Sequence, residues 1–126
     1  MRFAELRTVE PWFWEVVAQA ARNPEALRQV LWDMSRADLE RFDRQFEWAR
    51  AELSGHDFRA VHGCTRDEMQ ELAAWIASQG REYYARVYDN PGEVPRFEDA
   101  DAGSNLDGVV GDVYVERFGT DMPYTG

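Results

Sequence analysis

The chain contains no lysine, and its only cysteine is Cys64, so an intrachain disulfide is excluded. A lone cysteine without a disulfide framework is typical of a reducing compartment, and we therefore expect a cytoplasmic protein. The sequence also lacks a basic-then-apolar N-terminal segment, and no run approaches the roughly 18 apolar residues of a membrane span. Neither secretion by a signal peptide nor membrane insertion is expected.

Positive charge is scarce. Fourteen basic residues, all arginine, stand against 24 acidic ones, and the formal net charge is −10. Phosphate backbones and anionic membranes attract clustered positive charge, so nucleic acid and membrane surfaces are not expected partners. The segment from Asp89 onward contains nine acidic residues and only two basic ones, Arg96 and Arg117. Its net charge is therefore −7, most of the total of −10. This excess suits either solubility or an acidic antagonist of a basic protein.

The 126 residues include 44% hydrophobic and 13% aromatic side chains, enough for one domain with its own core. Apolar residues recur at helical spacing in five stripes. These are Phe13, Val16, Val17 and Ala20; Leu27, Val30, Leu31 and Met34; Leu39, Phe42, Phe46, Ala49 and Leu53; Met69, Leu72, Ala73 and Ile76; and Leu106, Val109, Val110 and Val113. We predict an all-α single domain over residues 1–126, folded as an irregular bundle of about five or six helices.

Four residues of helix-starting type precede the first four stripes. Pro11 suits a first helical position, Asn23 and Ser35 suit N-caps, and Thr65 with Glu68 three residues on predicts a capping box. On the Thr65 helix, the stripe predicts that Gln70, Glu71, Ala74 and Ser78 turn away from the core.

The second half of the chain is punctuated by glycine and proline. Gly80 interrupts the helical pattern and predicts either a kinked helix or two abutting helices. Residues 89–104 are expected to form an acidic surface loop in which Phe97 is the large apolar anchor. Asn105 is expected to cap a last helix that stops at Gly119, although its valines also suit a strand. Gly108 and Gly111 would let that helix approach a neighbour closely.

A family resemblance appears in the segment that follows His62. Gly63-Cys64-Thr65 through Asp67, then Trp75-Ile76, then Ser78-Gln79-Gly80-Arg81-Glu82 resemble the signature of domain-of-unknown-function family 4240, a bacterial family whose members typically read GGCSDD and then WLISQGRE. Phe13-Trp14-Glu15 and Tyr114 through Gly119 are similar to the ends of that family. The family carries no assigned activity, so the resemblance implies a fold more than a function.

The polar cluster in this segment is the candidate binding surface. It consists of Trp75, Gln79, Arg81 and Glu82, and the family resemblance implies that Trp14 and Glu15 lie nearby. An amphipathic tryptophan beside an amide, an arginine and a carboxylate can orient a small polar ligand or a partner's chain. The alternative is an internal hydrogen-bonded ion pair that joins two helices.

Catalytic candidates are Cys64 with His62 as its base, or an acid-base pair such as Glu82 with Glu15. A thiol just before a capped helix start lies in a field that favours thiolate. The alternative is a buried cysteine that packs as a small hydrophobe.

Neither a metal nor a cofactor is expected. His56, His62 and Cys64 with Asp57 or Asp67 match no zinc spacing. Counted from Asp99, the acidic loop has Ser104 and Val110 where a calcium loop needs glycine and glutamate.

Three functional hypotheses follow. The first is a cytosolic, non-catalytic module that binds an unidentified small molecule or protein. The second is a small enzyme that acts on a small metabolite through Cys64 and His62 or through the carboxylate pair. The third is the acidic antagonist of a basic partner.

Overall fold

The computed structural model describes residues 2–6, 9–54 and 65–123, and within these ranges the chain forms six α-helices and no strand. We label them α1 to α6 in chain order. They are α1 (Pro11–Ala20), α2 (Pro24–Trp32), α3 (Arg36–Leu53), α4 (Arg66–Ser78), α5 (Arg81–Asp89) and α6 (Val109–Phe118). The predicted all-α fold is confirmed.

The first four helices begin where the sequence predicts. Pro11 is the first residue of α1, and the Asn23 side chain accepts from the backbone N–H groups of Glu25 and Ala26 at the start of α2. The Ser35 hydroxyl accepts from the Asp38 N–H at 3.1 Å. The Thr65 capping box is complete, because the side chain of each partner accepts from the backbone N–H of the other, at 2.9 and 3.1 Å. Local chemistry therefore sets these boundaries.

The core lies where α3, the longest helix, packs against α4, with α1 on α2, α5 on α4, and α6 against α2 and α3. Every described helix contributes buried side chains. The five predicted stripes are buried with few exceptions: Val30, Met34 and Val109 are half-buried at the edge. One apolar face per helix thus produces one contiguous core.

The side of α4 expected to face solvent is exposed only in its first half, at Gln70 and Glu71. Ala74 and Ser78 are fully buried, because the chain near Leu106 covers them. The Ser78 hydroxyl donates to the Ala74 carbonyl at 2.7 Å and accepts from the Leu106 N–H at 2.8 Å. Ser78 therefore satisfies its own buried hydroxyl and also provides the acceptor for the buried Leu106 N–H.

The last helix starts later than its stripe suggests. The Asn105 side chain accepts from the Asp107 N–H and forms a turn, while Leu106 is buried outside any helix. Gly108, with φ of 86°, precedes α6, and Gly119, with φ of 71°, ends it as expected. The expectation of close approach at Gly108 and Gly111 is wrong, since a methyl group at either would meet no atom of the described residues within 4 Å.

The acidic segment lies against the bundle in three short 3₁₀ turns, Pro91–Glu93, Phe97–Asp99 and Ala102–Ser104. The first contacts α5 and the other two contact α4. Val94 is buried in addition to the half-buried Phe97, so this loop has two apolar anchors rather than one.

Replacing Ser78 by alanine should destabilise the fold by about 1–3 kcal/mol, because the buried Leu106 N–H would lose its acceptor. Ser54 is a matched control, since its hydroxyl donates only to the carbonyl four residues earlier, Arg50 at 2.8 Å. Urea denaturation should therefore show a clearly smaller loss for Ser54→Ala. Equal losses in the two variants would mean that the contact with Leu106 contributes nothing.

The Tyr84 phenol predicts a pH dependence of stability. It is fully buried and donates to the Ala49 carbonyl at 2.7 Å, and burial raises its pKa far above its ordinary value of 10.0. Since the folded-state pKa is the raised one, the stabilisation is complete below a pH of about 10 and declines as the pH rises further.

At pH 11 this group should cost the wild type about 1.4 kcal/mol relative to pH 8, and Tyr84→Phe should lack that loss. The measurement is urea denaturation of both proteins at the two pH values. The pKa values of Tyr83 and Tyr88 are also raised by burial, so the difference between the proteins is the relevant quantity. If both proteins lose the same free energy of unfolding between pH 8 and pH 11, Tyr84 is not the group responsible.

Candidate functional site

A groove of about 580 Å³ separates α1 and the α1–α2 turn from the junction of α4 and α5. It is open to solvent along one side. Its lining is formed by two short stretches of chain: Pro11, Trp14, Glu15, Val17, Ala18, Ala21 and Arg22 from one wall, and Ser78, Gln79, Gly80, Arg81 and Glu82 from the other. We call this cavity the α1–α5 groove.

The second wall owes its shape to Gly80. This residue has φ of 110° and ψ of 171°, a region essentially restricted to glycine, and it ends α4 and begins α5 as separate helices. Because glycine has no side chain, the start of α5 has no side-chain cap. Since Gly80, Arg81 and Glu82 line the groove, the uncapped start of α5 and the positive end of its dipole lie there.

The floor of the groove is the outer edge of the core. Trp14 is only 5% exposed and packs against Phe13 and Tyr84, with ring centroids 5.0 and 4.9 Å away. Its indole N–H donates to no atom of the described residues, yet no fully buried side-chain nitrogen or oxygen there lacks a partner. The N–H therefore keeps contact with solvent, and the α1–α5 groove is the described cavity that Trp14 lines.

Charges of both signs stand on the rim. Glu15, Arg22, Arg81 and Glu82 are all exposed, and they sum to zero. The Arg81 guanidinium lies 5.1 Å from the centroid of the Phe3 ring and pairs with no carboxylate of the described residues. The internal ion pair considered as an alternative for this cluster is thus not formed by Arg81 within residues 2–6, 9–54 and 65–123.

The first wall contains an unusual turn. Ala21 and Arg22 both adopt positive φ, 48° and 63°, although neither is glycine. The turn is closed by hydrogen bonds from Ala21 N–H to the Ala18 carbonyl and from Asn23 N–H to the Ala20 carbonyl, at 3.2 and 2.9 Å. Such conformations cost about 1–3 kcal/mol each and persist where the surroundings enforce them, often at binding sites.

Five of the six predicted binding residues line this one groove: Trp14, Glu15, Gln79, Arg81 and Glu82. The Gln79 amide nitrogen donates to the Trp75 carbonyl at 3.0 Å and to the Ser104 carbonyl at 3.4 Å, whereas the amide oxygen accepts from no atom of the described residues.

Trp75 lies elsewhere, in a second cavity of about 280 Å³ between α4 and the acidic segment. Its indole N–H donates to the Asp101 carbonyl at 2.8 Å, and its ring packs edge-on against Tyr83. Trp75 and Gln79 share a helix face as expected. The two side chains nevertheless line different cavities, Gln79 the α1–α5 groove and Trp75 the second cavity.

The catalytic candidates Cys64 and His62 lie outside the described residues. Glu15 and Glu82 stand on opposite walls of the groove. In the described part of the chain, no three His, Cys, Asp or Glu side chains are grouped to hold a metal ion. Asp99 and Asp101, considered for calcium, are exposed, and Asp101 instead accepts from the Gly103 N–H and the Ser104 hydroxyl.

Sequence reasoning missed the residues of the first wall other than Trp14 and Glu15. Val17 was recognised only as a core residue, and Ala18, Ala21 and Arg22 not at all. Link length gave no signal, because the link of two residues between Trp32 and the N-cap Ser35 is equally short and has no positive φ.

Comparison with known proteins gives the family. The model of the family described as "Protein of unknown function (DUF4240)" matches residues 9–116, so the chain belongs to this family. The resemblance seen in the sequence is confirmed. No curated protein and no solved structure matches the chain. Of the described helices, none combines the length and apolar character needed to cross a membrane.

Gly80→Ala should destabilise the protein by about 1–3 kcal/mol, because alanine disfavours the backbone angles found there. Crowding does not contribute, since an added methyl group would meet no atom within 4 Å in the part of the chain that the structure describes. Gly92→Ala provides the control: it is equally uncrowded and lacks positive φ, so its change should stay within about 0.5 kcal/mol. Thermal or urea unfolding measures both, and a neutral Gly80→Ala would contradict the strain argument.

Proposed function

We propose that this protein is a non-catalytic, small-ligand-binding module of the bacterial cytoplasm and that the α1–α5 groove is its binding site. The observation that carries the proposal is convergence: Trp14 and Glu15 are far in sequence from Gln79, Arg81 and Glu82, yet all five line one cavity. A solvated surface with no role requires no such grouping of an indole, an amide and three charges.

The size and lining of the groove suit a small molecule. Its volume of about 580 Å³ lies in the range of ordinary ligand pockets, which are mostly apolar with a few oriented polar groups. Here Trp14, Val17 and Ala18 supply apolar surface, while the rim supplies both donors and acceptors.

Covalent catalysis is less well supported. The hydroxyl that lines the groove belongs to Ser78, which is fully buried and has partners for both its proton and its lone pair. Cys64 and His62, the predicted nucleophile and base, lie outside the described residues. Glu15 and Glu82 remain the acid-base candidates of the groove.

The acidic-antagonist hypothesis loses part of its motivation, because several acids of the last third pair with arginines of the same chain. Asp107 pairs with Arg50, Glu116 with Arg28 and Glu93 with Arg86. Such pairs reduce the field available to a basic partner. Glu98, Asp99 and Asp121 are exposed and contribute to what remains.

The groove can be blocked from α1. Ala18 is exposed and lines the groove, so Ala18→Trp should fill it, whereas Gln19, the next exposed residue of α1, does not line it. A library of small metabolites, screened by thermal shift against the wild type, should yield compounds that raise the melting temperature. Ala18→Trp should lose these shifts, and Gln19→Trp should keep them.

Binding that survives in both variants would place the ligand elsewhere. If no compound in the library requires an open groove for its thermal shift, the proposal of a binding module loses its support. Circular dichroism of both variants should match the wild type, since each replaces an exposed helical residue.

A further inference from the structure

We infer that the ligand of the α1–α5 groove is a small zwitterion with an apolar side chain, of which a free α-amino acid is the simplest example. This inference rests on the proposed function and adds the ligand's chemical class. It depends on three features of the lining: hydrogen-bond donors at the floor and second wall, carboxylates on both rims, and apolar surface between them.

The donors define a place for a carboxylate. The Trp14 indole is more than nine-tenths buried and its N–H lacks a partner among the described residues, so a groove ligand is the natural acceptor. The uncapped start of α5 adds backbone N–H groups and a positive dipole end at the same cavity. Arg81, which begins α5, adds a full positive charge. Only an anion satisfies all three.

The carboxylates define a place for an ammonium group. Glu15 and Glu82 are exposed on the two walls, and neither pairs with an arginine of the described residues. With Arg22 and Arg81 they make the lining neutral, in a chain whose net charge is −10. A neutral lining with separated charges complements a zwitterion better than an anion or a cation.

Apolar surface lies between the charges. Val17 is almost fully buried at the floor, and Pro11 and Ala18 stand beside it on the same wall. Burial of an aliphatic side chain there would provide the hydrophobic part of binding. None of these residues offers a side-chain hydrogen bond, so the side chain of the ligand is expected to be apolar.

The first test is titration of the ¹⁵N-labelled protein with L-leucine, monitored by the indole N–H resonances of its five tryptophans. Only the Trp14 resonance should move strongly downfield, because it gains a carboxylate acceptor. Trp75 serves as the internal control, since its N–H already donates to the Asp101 carbonyl.

The second test removes one charge at a time. Against wild-type protein, 3-methylbutan-1-amine lacks the carboxylate of leucine and 4-methylpentanoate lacks its ammonium group, and each should bind at least about tenfold more weakly. Arg81→Gln should weaken leucine binding to a similar extent but leave the amine unaffected. Glu15→Gln and Glu82→Gln should weaken leucine but not 4-methylpentanoate.

The outcomes separate this inference from the function on which it rests. If groove ligands that Ala18→Trp abolishes are all neutral or singly charged, and leucine leaves the Trp14 resonance unmoved, the groove binds but the zwitterion is wrong. If no ligand depends on the open groove, both fail. Equal binding of leucine to wild type and Arg81→Gln would overturn the assignment of the carboxylate to α5.

Discussion

The structure depends on how the last turn of α4 is held. There the Ser78 hydroxyl accepts from the Leu106 N–H, and one residue later the Gln79 amide donates to the Ser104 carbonyl. These contacts fasten the segment that precedes α6 to the back of α4. Because both partners of the Ser78 bond are buried, it is expensive to break. The chain can then turn sharply at Gly80 from a fixed point, and the start of α5 faces α1 across the groove.

The opposite wall is held by the aromatic part of the core. Trp14 packs on Phe13 and Tyr84, and Phe3 from the N-terminal segment lies against both Trp14 and Tyr84. Tyr84 in turn donates to the Ala49 carbonyl of α3. The groove floor therefore cannot move without disturbing three helices. A site built on the edge of such a core is preorganised, which reduces the ordering cost of binding.

Much of the fold could be predicted from local chemistry. The starts at Pro11, Asn23, Ser35 and Thr65 follow from caps within a few residues, and the buried stripes follow from helical spacing. The errors share a cause. Ser78 and Ala74 are covered, and the start of α6 is delayed to Val109, because the segment around Leu106 packs on α4, a contact between positions 28 residues apart. Composition and periodicity carry no information about such a contact.

The site was also only partly predictable, because its two walls come from distant parts of the sequence. Gln79, Arg81 and Glu82 are neighbours in sequence, whereas the contribution of α1 depended on family resemblance. Trp75 was grouped with them by helix geometry, which holds along α4 but not past the glycine at its end.

The absence of lysine gives the groove one further property. Several arginines of the chain lie over aromatic rings: Arg41 over Trp12, Arg36 over Tyr114 and Phe118, and, at the groove, Arg81 over Phe3. A guanidinium is planar and weakly hydrated, so it stacks where an ammonium would remain in water. Stacking on Phe3 holds Arg81 at the groove and leaves its charge unneutralised. A carboxylate partner would also hold Arg81 in place, but it would neutralise the charge. The positive charge of the second wall is thus placed by a ring from the first few residues of the chain, and it remains available to an anionic group.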